Sequence, residues 1–336
     1  MRWKAADGFE RFRWLTGRGH IYPVKYWAGL AAQHRFRHNI EDGYVSSFQS
    51  EIRPPIRIGP AGWSYPDWKG IVYPDGMGGH PLEWLRLAFD TVELNVTFYR
   101  PPQARDCTKW LALVEDSPSF RFTAKLWNRF THKRDSLPNE GEATSVREGL
   151  APLQEAGRLG ALLLQFPWSF HRTVENRKWL ASIVALFEDF PLVVELRHRS
   201  WDRPEVYAAF ASRDIAFCNI DQPIVRDAIG PSGHVTASRG YIRLHGRNSH
   251  DWFRDSAKRD DRYKYLYTAD ELKEWLTKIE HMQIQVKDLY IITNNHYRGQ
   301  AVVNALELRH ALGLPVRHVP QTLLDQYPRL RSIVSP

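Results

Sequence analysis

The sequence predicts an α/β protein, a single (β/α)8 barrel preceded by an N-terminal extension. From residue 56 onward, short apolar runs alternate with amphipathic helical stretches, which is typical of βαβ units and a parallel sheet. Eight such units within 56–320 match the roughly 250 residues of a (β/α)8 barrel. The glycine-rich turn expected after the first strand of a dinucleotide-binding open sheet is missing, which argues against that alternative.

The predicted elements follow one another in a regular order. The strands are 56–60, 91–98, 121–127, 159–166, 192–198, 215–221, 241–246 and 288–294. The helices are 81–89, 103–115, 143–156, 174–187, 204–213, 269–280 and 299–312. Residues 221–241 lack a strong helical pattern, so we expect mostly loop there. The mixed-charge residues 247–268 should form a loop over the carboxyl-terminal face, where active sites of barrels lie.

The two ends of the chain are assigned outside the barrel. Residues 1–55 are rich in aromatic residues, and up to Arg53 they hold nine Lys or Arg against five Asp or Glu. They either pack on the barrel or are partly disordered, and their aromatic content favours packing. Residues 321–336 are assigned to a C-terminal tail.

Composition limits the classes of function. The net charge of +8 and the pI near 9.4 favour anionic partners, such as phosphates or nucleic acid, or merely a basic soluble surface. The sequence has neither an apolar window of ~18 residues nor a signal-peptide pattern, so no membrane partner is expected. Cys107 and Cys218 offer no disulfide framework or metal-ligand spacing, and a reducing cytoplasm is the expected location.

Six charged residues occur late in five of the predicted strands, where apolar residues would be expected. They are Glu93, Lys125, Glu195, Arg197, Asp221 and Arg243. Because a buried unpaired charge is costly, these groups must meet one another, water or a ligand.

Strand alternation predicts which residues face the barrel axis, and most of them are polar. They are Glu93, Asn95 and Thr97; Thr123, Lys125 and Trp127; Leu163 and Gln165; Glu195 and Arg197; Asn219 and Asp221; Arg243 and His245; and, at the end of the eighth strand, Asn294, Asn295 and His296. Their convergence predicts a catalytic or binding pocket. The alternative is a buried ion-pair network that only fixes strand register.

Seven segments resemble the domain of unknown function 72 family, also called YecE-like. They are IGPAGWSYPDWKGIVYP (58–74), TVELNVTFYRPP (91–102), FRFTAKLWNRFTH (120–132), LLLQFPWSF (162–170), VVELRHRSW (193–201), YIRLHG (241–246) and ITNNHYRGQAVVNALEL (292–308). The resemblance covers about 58–312 and implies a TIM barrel, and the family has no defined activity. The chain departs from the pattern at Pro60 and Ala61, where small polar residues are expected. It departs again at His296, where an acidic or amide residue is common.

The aromatic segment after the first strand has two interpretations. Gly62 permits a tight turn or the close approach of a ligand to the backbone. Trp63, Tyr65 and Trp68 can form a stacking wall for a sugar or a base, or they can close the barrel as a hydrophobic lid.

The acidic strand residues suggest acid–base chemistry. Glu93 and Glu195 are candidates for general acid and base, or for the carboxylate pair of a glycosidase, and Asp221 offers a third carboxylate. The three basic strand residues should pair with these acids and keep their pKa values low, which suits electrostatic roles better than proton donation.

The sequence leaves the cofactor unknown, and a divalent metal centre is possible but not favoured. Its ligands would come from Glu93, Glu195, His198, Asp221, His245 and His296. The basic residues among these acids oppose a dication, and the strand ends hold no His-x-His or His-x-x-x-His pair.

Basic residues are also predicted around the mouth of the barrel. They are Arg100, Arg129, His132, Lys133, Arg134, Arg243 and Arg247. Such a rim can attract anions, although it can equally be a solvated basic surface, and Arg243 is the strongest functional candidate.

The leading hypothesis is a hydrolase-type or lyase-type enzyme for an anionic substrate, either a phosphate ester or a nucleic-acid component. The candidate catalytic residues are Glu93, Glu195, Asp221 and His245. The candidate substrate-binding residues are Trp63, Tyr65, Asn95, Lys125, Gln165, Arg197, His198, Trp201, Arg243, Asn294 and Asn295. The alternatives are a non-catalytic nucleic-acid or metabolite binding protein and a carbohydrate-active enzyme that uses Glu93 and Glu195.

Overall fold

Eight parallel strands alternate with helices in the computed structural model of the protein, which describes residues 53–136, 138–224, 227–252, 254 and 259–334. The strands are β1 Ile56–Pro60, β2 Thr91–Leu94, β3 Arg121–Lys125, β4 Leu159–Gln165, β5 Leu192–Glu195, β6 Ala216–Asp221, β7 Arg239–Leu244 and β8 Asp288–Thr293. The predicted extension lies outside the described residues except for its last three positions.

The helices that surround the strands are short or of medium length. They are α1 Pro81–Ala88, α2 Val96–Tyr99, α3 Ala104–Leu113, α4 Asn128–Thr131, α5 Glu140–Glu155, α6 Val174–Leu186, α7 Pro204–Ala211, α8 Ser249–Trp252, α9 Arg259–Arg262, α10 Ala269–Gln283, α11 Gln300–Ala311 and α12 Gln321–Gln326. Within the described part of the chain, no helix has the length and apolar character needed to span a bilayer.

Local sequence explains where several helices begin. Asn139 with Glu142 and Thr268 with Glu271 form reciprocal capping boxes at the starts of α5 and α10. Pro81 opens α1 at a position where its missing N–H costs nothing.

The strands form a nearly closed barrel. The sheet order is β1-β8-β7-β6-β5-β4-β3-β2, and the two edge strands meet through a parallel bridge between Ala61 and Glu93. The Gly62 N–H donates to the Glu93 carbonyl over 2.8 Å. A Cβ on Gly59 would lie 1.8 Å from the Thr91 carbonyl oxygen, so only glycine permits this close approach of β1 and β2.

Two apolar layers lie on opposite sides of the strands. The large outer core packs strand residues such as Ile58, Val92 and Leu244 against the helices. A smaller inner core fills the barrel with side chains that include Leu163, Val193 and Tyr290. The polar site lies above this inner layer, at the carboxyl ends of the strands.

The structure confirms the predicted fold class and the order of the elements. Three strands are shorter than predicted by two residues or more, because the chain turns directly after Leu94, Lys125 and Glu195. The Thr97 hydroxyl fixes the first of these turns by donating to the carbonyls of Leu94 and Lys125. The described residues of 222–238 hold no helix, as predicted, and 247–268 contains the two short helices α8 and α9.

The segment after residue 320 packs on the barrel. Helix α12 and a 3-10 helix at Pro328–Ser332 place Leu323 and Leu330 in the outer core, fully buried. The Thr322 hydroxyl donates to the Ile71 carbonyl over 2.7 Å. These contacts anchor the end of the chain to the segment that follows β1.

Candidate functional site

A buried arginine connects two strand-end carboxylates across the barrel. Arg243 on β7 donates through one terminal nitrogen to Glu195 Oε2 at 2.5 Å and through the other to Glu93 Oε1 at 2.6 Å. All three side chains are at most 1% exposed. Two carboxylates therefore share one guanidinium group, which neutralises charges that burial would otherwise make very costly.

Glu195 is also held from its other side. Its Oε1 accepts from Arg197 Nε at 2.8 Å and lies 3.2 Å from His245 Nε2. Burial alone would raise the pKa of Glu195, but Arg243 and then Arg197 outweigh that effect and hold the pKa well below its usual range. Glu195 is therefore ionised at neutral pH and does not act as a proton donor there.

Tyr241 ties Glu93 to the third strand. Its hydroxyl lies 3.0 Å from Glu93 Oε2 and 2.9 Å from Thr123 Oγ1. Burial raises the pKa of Tyr241 far above its usual range, so the phenol keeps its proton and donates it to a neighbour. Tyr241 is not among the site residues predicted from the sequence, although Tyr241, Arg243 and His245 share one strand parity and therefore one face.

Lys125 is the one of the three basic strand residues that makes no ion pair with a described carboxylate. Its side chain is half-buried at the end of β3, on the same strand face as Thr123. Among the described residues, no carboxylate lies within 4.0 Å of its ammonium group. Its nitrogen instead lies 4.1 Å from the centre of the Phe98 ring. The prediction that the basic strand residues pair with the acids is thus confirmed for Arg197 and Arg243 and wrong for Lys125.

Burial, together with the surrounding charges, sets the protonation of Lys125. Burial lowers the pKa of Lys125 to about 7, and the Arg243 charge acts in the same direction, while Glu93 and Glu195 oppose both. At neutral pH the side chain is therefore present in both the ammonium and the amine form.

Two histidines beside the cluster are neutral at physiological pH. Burial lowers the pKa of His245 to about 3, and its Nδ1 lies 3.0 Å from the Asn294 amide nitrogen. Burial, followed by the Lys125 charge, lowers the pKa of His132 to about 4. If Asn294 donates to Nδ1, the Nε2 proton of His245 points to Glu195, so Asn294 and His245 orient this carboxylate.

Asp221 does not belong to this cluster. Cys218 and Ile220 point into the barrel, whereas Asp221 is paired with Leu244 on the outer face of the sheet. Its carboxylate accepts from Trp275 Nε1 at 2.7 Å and from Arg247 Nη2 at 2.8 Å. The prediction that Asn219 and Asp221 face the axis is wrong, because alternation identifies two faces but not which one is interior. A catalytic role for Asp221 would have to be exercised from outside the barrel.

Asn219 is an outward-facing structural residue. Its side chain binds the 232–234 loop, with its Oδ1 accepting from the Ser232 hydroxyl and from the His234 N–H, each at 2.8 Å. In place of a helix, these bonds hold the crossover after β6 against the sheet.

Some of the other polar candidates at the mouth lie inside the barrel with the cluster, and others lie outside it. Asn294 lies in the cluster, and Gln165 is buried beside it in register with Glu195. Asn95 lies beyond the end of β2 and its amide nitrogen is 3.3 Å from the Tyr65 hydroxyl. Asn295 points outward and donates to the Tyr265 carbonyl at 2.8 Å.

The aromatic segment after β1 has features of both a hydrophobic lid and a stacking wall. Trp68 is fully buried, and its Nε1 donates to the His296 carbonyl over 2.7 Å, as expected of a lid. Tyr65 stacks on the His296 ring with a centroid distance of 4.3 Å. Trp63 packs edge-on against Trp110 at 5.5 Å.

A cavity of about 760 Å³ opens beside this segment. Trp63, Tyr65 and Asn95 line it together with His80 and Tyr99. The central arginine and the two glutamates do not line this cavity. It therefore adjoins the rim of the site through Tyr65 and Asn95 and does not contain the charged cluster.

Two candidates from the fifth strand are not brought into the cluster. His198 caps a 3-10 helix at Arg199–Trp201 and packs against His171 with ring centroids 3.9 Å apart. Trp201 is buried against Phe170, whose carbonyl accepts from its indole N–H over 2.6 Å. Both positions follow the end of β5, where strand parity no longer applies.

Most of the predicted basic rim already has partners. Arg129 pairs with Glu142 at 2.7 Å, and Arg100 pairs with Asp106 at 3.0 Å. Arg134 donates to the Asn176 side chain at 2.6 Å, and Lys133 is exposed. The two ion pairs reduce the positive field that the sequence suggested around the mouth.

No grouping of three or more His, Cys, Asp or Glu side chains suited to a metal ion occurs in the described part of the chain. Glu93 and Glu195 are bound to Arg243, and Asp221 is bound to Arg247. A dication would have to displace these guanidinium groups from the same oxygen atoms.

Comparison with known proteins places the chain in a family. The protein-family model described as "Protein of unknown function DUF72" matches residues 57–329. The UPF0759 protein YunF of Bacillus subtilis (strain 168) is 29% identical over 286 residues, which is 81% of this chain and 100% of that protein.

Solved structures of two DUF72 family proteins agree with the fold. The protein from Thermotoga maritima MSB8 is 34% identical, with a TM-score of 0.69, and the match covers 77% of this chain and 99% of that one. The protein from Enterococcus faecalis V583 is 26% identical, also with a TM-score of 0.69, over 78% and 96% of the two chains. The chain therefore belongs to the DUF72 family of proteins of unknown function.

Proposed function

We propose that this protein is an enzyme of the hydrolase or lyase type that acts on a small anionic substrate at the carboxyl-terminal mouth of the barrel. The observation that carries the proposal is the position of Lys125. Its half-buried ammonium group lies beside an ion-pair cluster, yet no described carboxylate is within 4.0 Å of it.

The charge balance of the cluster favours an anion at this point. Glu93 and Glu195 contribute two negative charges, which Arg197 and Arg243 already balance. Lys125 in its ammonium form adds one positive charge without a counter-charge among the described residues. A bound anion would supply that charge and would raise the pKa of Lys125 again.

The described groups divide naturally between binding and proton exchange. The Arg243 side chain is 1% exposed and is paired with two carboxylates. The Arg197 side chain is 11% exposed and can contact a ligand. Glu195 stays ionised, so its role is electrostatic. Lys125 changes protonation near neutral pH and is the better group for exchanging a proton with a substrate.

Calorimetric titration with inorganic phosphate, glycerol 3-phosphate and sulfate tests the proposal. We expect binding by the wild type and an affinity loss of roughly tenfold or more in Lys125→Met, since a charged partner is removed. Sulfate keeps its charge between pH 6 and 8, so its binding should weaken over that range as Lys125 loses its proton.

Lys133→Met is the matched control, because Lys133 is exposed and follows the same strand. Its anion affinity should equal that of the wild type. If wild-type protein binds none of these anions, or if both variants lose affinity equally, the proposed function is wrong.

A further inference from the structure

We infer that Lys125 is the nucleophile of this site and forms an imine with the carbonyl group of a small anionic carbonyl compound, such as a 2-oxo acid. The inference rests on the proposed function, because it names the substrate class of the same pocket. It goes further by assigning a covalent role to one side chain.

The position of the amine is the first argument. A lysine that serves as a structural cation is held by a carboxylate, as the arginines of this cluster are. The Lys125 nitrogen has no such partner among the described residues and lies 4.1 Å from the Phe98 ring centre. An amine without an ion pair and with its side chain half-buried has a lone pair available for attack.

The surrounding charges are the second argument. Two guanidinium groups occupy the cluster beside the amine, and a neighbouring cation favours the neutral, nucleophilic form of lysine. The lowered pKa of about 7 agrees with this arrangement. Neighbouring His132 and His245 are neutral at this pH and add no further positive charge.

The proposed step is balanced without an additional reactant. The neutral amine of Lys125 attacks the carbonyl carbon, and a C–N bond forms as the carbonyl π electrons move to oxygen. The two amine protons then leave with that oxygen as water, and a C=N bond remains. Once protonated, this imine is again a cation, so it can pair with the anionic group of the bound compound and draw electrons from the adjacent carbon.

Reductive trapping tests the inference. Wild type, Lys125→Met and Lys133→Met are each incubated at pH 7 with pyruvate or glyceraldehyde 3-phosphate and sodium cyanoborohydride, and modified lysines are mapped by peptide mass spectrometry. We expect one dominant adduct at Lys125 in the wild type and in Lys133→Met. Excess inorganic phosphate should lower the yield of this adduct. Lys125→Met should show only the low, uniform labelling of surface lysines.

Parallel phosphate titrations separate the two proposals. If phosphate binds in a Lys125-dependent manner but Lys125 is labelled no more than Lys133, the imine is overturned and the anion site stands. If neither phosphate binding nor selective labelling is found, both proposals fall. Denaturation curves of the two variants show that each is folded, and Lys125→Met is expected to be at least as stable as the wild type.

Discussion

Two strand-end carboxylates of this barrel are buried beside an arginine, on opposite sides of the sheet. Inside the barrel, Glu195 meets Arg243 and Arg197, and beside them Lys125 has no carboxylate partner in the described chain. Outside it, Asp221 meets Arg247, which also pairs with Glu274 at 2.7 Å.

The difference between these regions separates a structural ion pair from a candidate site. In the outer cluster, Trp275 and Arg247 bind Asp221, and Arg247 also pairs with Glu271 and Glu274 toward the surface. The inner cluster is internally balanced only when Lys125 is left out. Among the described residues, the half-buried amine of Lys125 lies over the Phe98 ring and makes no ion pair that could fix strand register, so we infer that the inner region is the one shaped for a ligand.

The largest effect is expected from breaking the inner cluster at its centre. Arg243→Met leaves Glu93 without its ion pair and removes one of the two guanidinium partners of Glu195. We expect the free energy of unfolding to fall by about 3–5 kcal/mol, measured by urea denaturation. Arg100→Met, which removes a largely exposed pair with Asp106, should cost less than about 1 kcal/mol. Similar losses in both variants would contradict the comparison.

Breaking the outer cluster should cost less and leave ligand binding unchanged. Arg247→Met removes the three hydrogen bonds that Nε and Nη2 donate to Asp221, but Trp275 still donates to that carboxylate. We expect a loss of about 2 kcal/mol in the free energy of unfolding. Phosphate affinity, measured by calorimetry on the same variant, should equal that of the wild type. A loss of affinity would move the ligand site to the outer cluster.

Removing the surplus amine should stabilise the protein. The folded state lowers the pKa of Lys125 to about 7, so the unfolded chain binds more protons between about pH 7 and 10. The cost of the buried ammonium is fully present below pH 7 and fades as the pH rises.

Lys125→Met should therefore be about 1–2 kcal/mol more stable than the wild type at pH 6 to 7. This advantage should shrink toward pH 10, as measured by denaturation at each pH. A pH-independent difference would mean that Lys125 keeps an ordinary pKa in the folded protein.

The smallest effect concerns the link between Glu93 and β3. Tyr241→Phe removes the hydroxyl that lies between Glu93 and Thr123 but preserves the ring. We expect a loss of about 1 kcal/mol in thermal or urea denaturation. Tyr99→Phe, at a position 59% exposed, is the control and should change stability by less than about 0.5 kcal/mol.

The order of the elements follows from the sequence because hydrophobic periodicity is a local property. The local sequence is enough to recognise the apolar runs at 56–60 and 216–221 and the capping boxes at Asn139 and Thr268. The presence of a polar cluster at the strand ends was equally predictable, since buried charges require partners.

The tertiary structure alone decided which charges meet. Strand alternation could not show that Asp221 faces α10 while Glu195 faces the barrel axis, because both faces of a barrel strand are buried. It also could not show that Arg243 would reach both glutamates, and so leave Lys125 without a carboxylate among the described residues. Pairing depends on distances across the barrel between residues up to 150 positions apart, and no local pattern encodes those distances.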